Sequence, residues 1–115
     1  MARVFVVQES RYKQKDGTYA SHDYSSLYRY GPVEFLLPAT KKQMDELEGV
    51  DELALLNQKL EVFNAEVDYL VFSGDPVLCG LAAIVIYSLT DCERLQVLKW
   101  NRKDSVYEPV NVPLP

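Results

Sequence analysis

A chain of 115 residues, 48% apolar and 25% charged, is long enough to bury one core and too balanced in composition for a disordered segment. Its net charge of −5, from 17 acidic and 12 basic residues, disfavours sequence-independent binding to nucleic-acid phosphate. One histidine and two cysteines leave no zinc spacing, so neither a metal nor a cofactor is expected.

Arg3-Val4-Phe5-Val6-Val7-Gln8 is a β-branched and aromatic run, the pattern of a strand buried on both faces. Its apolar part is too short for a secretory leader and fits a strand. Residues 9–32 form a long polar stretch, with Asp16-Gly17 as its turn signal. A hairpin is expected there, with Arg11-Tyr12-Lys13 and Thr18-Tyr19-Ala20 as arms. Val33 to Leu37 is a second strand, stopped by Pro38. One or two helical turns follow over Lys41 to Glu48, and Gly49 separates them from a main helix over Asp51 to Phe63. In that helix Leu53, Leu56, Leu60 and Phe63 recur at steps of three and four as one apolar stripe.

Asp68 to Phe72 is a third strand and Pro76 to Leu89 a second main helix. That helix is apolar nearly all round and is expected to be covered on most of its surface. Its Leu78–Tyr87 run is about half the ~20 residues a membrane span needs, so a membrane-free, cytoplasmic protein is expected. Arg94 to Trp100 and Val106 to Val112 close the chain as a hairpin, and Pro109 assigns the last strand to a sheet edge. The strand-helix-strand from Asp68 to Trp100 is expected to be a right-handed crossover between parallel strands. The fold class is α/β (α+β): residues 1–115 as one domain, a mixed sheet of four to five strands with two main helices.

Two segments invite a functional reading. In Ser73-Gly74-Asp75-Pro76 a strand turns into a helix start, where unpaired N–H groups can hold an anion. The glycine spacings of dinucleotide and phosphate loops are absent, with Gly74 and Gly80 standing alone. Asp75 is a good N-cap and Pro76 a good first helical residue, so the turn reads first as a capped core helix. Gly80 is expected to let that helix approach the sheet closely. A small-molecule or nucleotide site at Ser73, Gly74 and Asp75 is the alternative.

The other segment is the polar stretch, which holds Tyr12, Tyr19, Tyr24, Tyr28 and Tyr30. Arg11, Lys13, Lys15 and Arg29 stand against Glu9, Asp16 and Asp23, a local charge of +1 in a chain of net −5. Tyrosine with arginine on a loop is the composition of protein-binding hot spots, because a rigid amphipathic ring buries area at little entropic cost. The competing readings fold Tyr24, Tyr28 and Tyr30 back over the sheet with their hydroxyls reaching water, or stack the aromatic rings on single-stranded nucleic acid.

No set of residues in the sequence points to catalysis. His22 lies in the long polar loop, far in sequence from Cys79, which reads as a small buried residue, while Cys92 lies in a connecting loop. The carboxylates at Asp45-Glu46-Glu48 and Asp51-Glu52 read as a solvated helix start.

The chain resembles a group of small uncharacterised bacteriophage-encoded proteins. The resemblance lies in Val4-Phe5-Val6-Val7-Gln8-Glu9, in Asp23-Tyr24-Ser25 with Tyr30-Gly31, in Asp68-Tyr69-Leu70 through Gly74-Asp75-Pro76-Val77 and Gly80, and in Val97-Leu98-Lys99-Trp100 with Tyr107-Glu108-Pro109-Val110. It implies a viral protein working in the host bacterial cytoplasm and carries over no functional residue. The reading reached is a non-enzymatic protein that binds a host or viral protein through Tyr12, Tyr19, Tyr24, Tyr28, Arg29 and Tyr30. Nucleic acid is disfavoured as a partner. A homodimer is expected, through a sheet edge beside Pro109 or the long apolar helix.

Overall fold

The structure, a computed structural model, describes residues 2–46 and 51–114. The main sheet contains β1 (Val4–Gln8), β4 (Val33–Leu37), β5 (Tyr69–Val71), β6 (Arg94–Asn101) and β7 (Val106–Pro113), in the order β4-β1-β5-β6-β7. The first four are parallel to one another, and β7 pairs antiparallel with β6 from Arg94↔Pro113 to Asn101↔Val106. The mixed α/β architecture is therefore as expected, with Pro109 on an edge strand. Two further strands, β2 (Arg11–Lys13) and β3 (Tyr19–Ser21), form the hairpin around Asp16-Gly17.

Side chains alternate across the central strands and build two cores. Phe5, Val7, Leu70 and Val97 face the helices α2 (Glu52–Leu60) and α3 (Pro76–Thr90). Val4, Val6, Val71 and Leu98 face the opposite way and are covered by η1, a 3₁₀ segment over Ser25–Arg29, through Leu27 and Tyr24. This second cover comes from the polar stretch itself, whose length alone does not reveal it.

Each helix starts where its cap falls. The Asp51 carboxylate accepts from Ala54 N at 2.7 Å, and the Asp75 carboxylate from Val77 N at 2.8 Å, with Pro76 next in line. A short helix, α1 (Lys41–Asp45), precedes α2, while Glu48 and Gly49 lie outside the described residues.

Three expectations need correction. α2 ends at Leu60, so Phe63 is buried from a turn rather than from the helix, and Leu53 faces solvent while Leu55 replaces it in the core. Helix α3 is not covered on most of its surface: Val77, Ile84 and Tyr87 are exposed. Gly80 does not face the sheet, since a Cβ there would meet nothing within 4 Å.

One buried carboxylate fastens the fold. Asp68 is 1% exposed and accepts from Arg3 N at 2.9 Å and Asn64 N at 2.8 Å, with the Arg3 guanidinium at 3.4 Å. The guanidinium also donates to the Val62 carbonyl. The start of β1 is thus tied to the turn that leads into β5.

Candidate functional site

The connection after β1 leaves over the η1 face and the connection after β5 leaves over the α3 face. Adjacent parallel strands that part in this way leave a crevice at their carboxyl ends, the place where open α/β sheets receive ligands. Here it is closed by hydrogen bonds. Ser73 Oγ lies 2.9 Å from Ser10 Oγ and 2.7 Å from the Tyr24 hydroxyl, which accepts from Ser10 N at 2.6 Å. Gly74 N donates to Ser10 Oγ at 3.0 Å and Asp75 N to Gln8 Oε1 at 3.1 Å. Two segments that look like separate sites in the sequence, the tyrosine stretch and the Ser73–Asp75 turn, meet at this point.

Donor accounting bears on what the turn can do. The N–H groups of Gly74, Asp75 and Val77 all have acceptors within the chain, and Pro76 has none to offer. Gly74 sits at φ +94°, and a Cβ there would lie 2.5 Å from Gln8 Cβ. The glycine lets Gln8 cross close to the backbone, which makes the turn a joint between β1 and α3. Cys79 follows it, with Sγ 3.5 Å from the Ser73 carbonyl. Burial first, and the Asp75 charge second, push its thiol up, so at neutral pH it is a thiol rather than a nucleophilic thiolate.

His22 is half-buried in an aromatic box. Its backbone N–H donates to the Ser10 carbonyl at 2.9 Å. Its ring stands edge-on to Trp100 at 4.5 Å, Tyr24 at 4.9 Å and Tyr107 at 5.9 Å. Nε2 is buried without a hydrogen-bond partner among the described residues. Beside the box opens a cleft of about 660 Å³ lined by Ser10, Phe72, Lys99, Trp100 and Arg102 among others.

The box has a consequence at high pH. The Tyr107 hydroxyl is pushed well above the ordinary tyrosine range, by burial first and by neighbouring Tyr24 and Asp23 next. Unfolding returns it to an ordinary value of about 10, so the unfolded chain ionises first. Stability from this group is full below about pH 10 and falls as pH rises beyond it. Tyr107→Phe is expected to remove that part of the alkaline loss, read as urea midpoints at about pH 8 and about pH 11. Equal losses in the two proteins would refute the assignment.

From Ser10 the chain rises into the arm. All nine residues from Arg11 to Tyr19 are exposed. Pairs Arg11↔Ser21, Tyr12↔Ala20 and Lys13↔Tyr19 hold its strands together. Its tip is fixed by Gln14 N donating to the Thr18 carbonyl at 2.8 Å and by Asp16, which accepts from Thr18 N at 2.9 Å and Thr18 Oγ1 at 2.6 Å. Gly17 supplies the positive φ of +87° that the turn requires. Tyr12 and Tyr19 are 58% and 68% exposed, so the arm spends its aromatic surface on solvent.

The expected partner-binding residues therefore divide into three groups. Tyr12 and Tyr19 stand on the arm. Tyr28 and Arg29 are exposed on η1, over the second face. Tyr24 is buried, and Tyr30 is half-buried with its hydroxyl donating to the Tyr107 carbonyl at 3.1 Å and its ring 5.5 Å from Tyr69. Tyr24 and Tyr30 thus fold back over the sheet, but with hydroxyls bonded inside the chain rather than reaching water, and Tyr28 does not fold back with them; what separates them is the 3₁₀ turn. Gln8, Ser10 and Trp100 belong to the site without having been singled out as site residues, and only the polar break after an apolar strand marks the first two.

These features define a small α/β protein built on a mixed sheet, with a projecting aromatic arm at the carboxyl edge of its parallel strands. Among the described residues no helix is long and apolar enough to cross a membrane. Over residues 2–114 the chain matches the family described as Phage Pam3 gp32-like protein, and it belongs to that family. The resemblance to phage-encoded proteins is thereby borne out. No curated protein and no solved structure matches it.

Proposed function

We propose that the protein binds a host or viral protein through the arm, with Tyr12 and Tyr19 as anchors and Arg11, Lys13 and Lys15 as a basic surround. The observation that supports this most is the exposure of nine consecutive residues in a paired hairpin. An isolated two-stranded hairpin is marginal in water, yet this one spends two large rings on solvent instead of on its own packing. A partner that buries those rings accounts for the expenditure. In this reading Tyr24 fixes the base of the arm, Tyr30 holds η1 on the sheet, and the exposed pair Tyr28 and Arg29 offers a second, separate contact. A small ligand on Ser73, Gly74 and Asp75 is the weaker reading, because the N–H donors of Gly74 and Asp75 are already engaged.

The test is retention of host or phage proteins from lysate on the tagged chain. The wild type is expected to hold one stoichiometric partner, and Tyr12→Ala/Tyr19→Ala to weaken it by about 100-fold. Melting should be unchanged, since both rings are exposed. Loss of the partner in Tyr28→Ala/Arg29→Ala alone would move the surface to η1. Full binding by both double variants would end the proposal.

A further inference from the structure

Helix α3 carries no charged residue over its 15 residues and leaves part of an apolar surface open. Val77 is 70% exposed, Ile84 65% and Tyr87 43%, and Gly80 is exposed between them. Steps of three, four and three place Val77, Gly80, Ile84 and Tyr87 on one stripe of the helix. Phe72, also exposed, stands at the stripe's start. Together with Pro76 and Cys79 it borders a shallow apolar notch over Gly80 of about 390 Å³.

Glycine within a helix is disfavoured relative to alanine. At Gly80 nothing among the described residues demands it, because an added Cβ would meet none of them within 4 Å. A surface that approaches the helix closely from outside would demand it.

We infer that this face is the contact between two copies of the chain, with Ile84 of each copy seated in the notch over Gly80 of the other. Knob and notch lie one helical turn apart on the same stripe, so the face is self-complementary, as a two-fold interface must be. Charge supports the same occupant. Copies of net charge −5 repel one another, and the stretch from Pro76 to Thr90 lets them meet without a carboxylate inside the contact, Asp75 and Asp91 lying at its ends. An anionic lipid surface would instead call for lysine and arginine flanking the stripe, and the helix has none.

The exposed parts of Phe72, Val77, Gly80, Ile84 and Tyr87 make a small face, which suits a dimer at the lower end of specific interfaces. The β7 edge serves less well, because Pro109 and Pro113 lie within that strand and have no N–H to donate to a pairing chain. The contact is independent of the arm, since α3 covers the face opposite η1.

Sedimentation equilibrium over a concentration series tests this on the whole chain. The wild type is expected to shift from its monomer mass of 13.2 kDa to twice that value in the micromolar range. Added salt should tighten the association, since it screens like net charges. Ile84→Glu places two carboxylates in the contact and should weaken it by more than about 100-fold. Gly80→Leu fills the notch and should also leave a monomer, with a melting temperature at or above that of the dilute wild type. A wild type that stays at the monomer mass throughout would overturn the inference. So would two folded variants that still dimerise.

Discussion

Replacing Asp68 with alanine is expected to lower the free energy of unfolding by about 3 kcal/mol, the largest loss from any single polar side chain described above. The carboxylate is buried and accepts from two backbone N–H groups, those of Arg3 and Asn64. Alanine leaves both donors without a partner, and each buried orphan costs roughly 1–3 kcal/mol. The ion pair adds less, because Arg3 is 38% exposed and water replaces much of what it loses. Asp68→Asn keeps the shape and one acceptor oxygen and should fall between the two. Urea titration reads the result as a lower midpoint at unchanged slope. A loss below about 1 kcal/mol in the alanine variant would mean that water reaches both N–H groups.

Gly31→Ala is expected to rival it, for a steric reason. Gly31 has φ +149°, and a Cβ there would lie 2.1 Å from the Ala2 carbonyl oxygen and 3.0 Å from its carbon. The obstacle is backbone, which cannot rotate aside as a side chain can. Ala2 leads directly into β1, the strand that pairs with both β4 and β5, and the neighbouring Pro32 carbonyl accepts from Val4 N at 2.8 Å. Relieving the collision therefore pulls on the middle of the sheet, at about 3 kcal/mol for the overlap and the strained backbone together. Gly17→Ala is the control. It too has positive φ, +87°, but open space around it, so its cost should stay near 1 kcal/mol and be confined to the arm. Thermal unfolding of the two variants should separate them by several degrees, and equal melting temperatures would refute the steric account.

The two proposed surfaces use the sheet's geometry differently. The arm leaves from the carboxyl end of β1, where the Ser10–Tyr24–Ser73 bonds anchor its base. The α3 stripe lies on the opposite cover of the sheet. A dimer formed through α3 leaves the arms free, so self-association and partner binding can proceed together. This makes the two proposals separable by mutation: Ile84→Glu should spare the partner, and Tyr12→Ala/Tyr19→Ala should spare the dimer.

Most of the secondary structure was legible because its signals are local. The Val4–Val7 run, the Asp16-Gly17 turn, the Asp51 and Asp75 caps and the proline at the start of α3 each act within a few residues. Pro109 marked its strand as an edge because a missing N–H matters wherever the strand lies. These features follow from covalent chemistry and backbone propensity alone, and the sequence by itself determined them. What it could not determine was which faces would be covered, because cover comes from distant segments. Tyr24 and Tyr28 look alike in the chain, yet η1 turns one onto the sheet and the other to solvent. Tyr24 meets Ser73 across 49 residues and Arg3 meets Asp68 across 65, contacts set by the order of parallel strands rather than by any local pattern. The apolar helix α3 looked like an element covered on most of its surface, but one sheet with one neighbouring helix covers only part of a cylinder. The tertiary structure decided that Val77, Gly80, Ile84 and Tyr87 would be left on the outside.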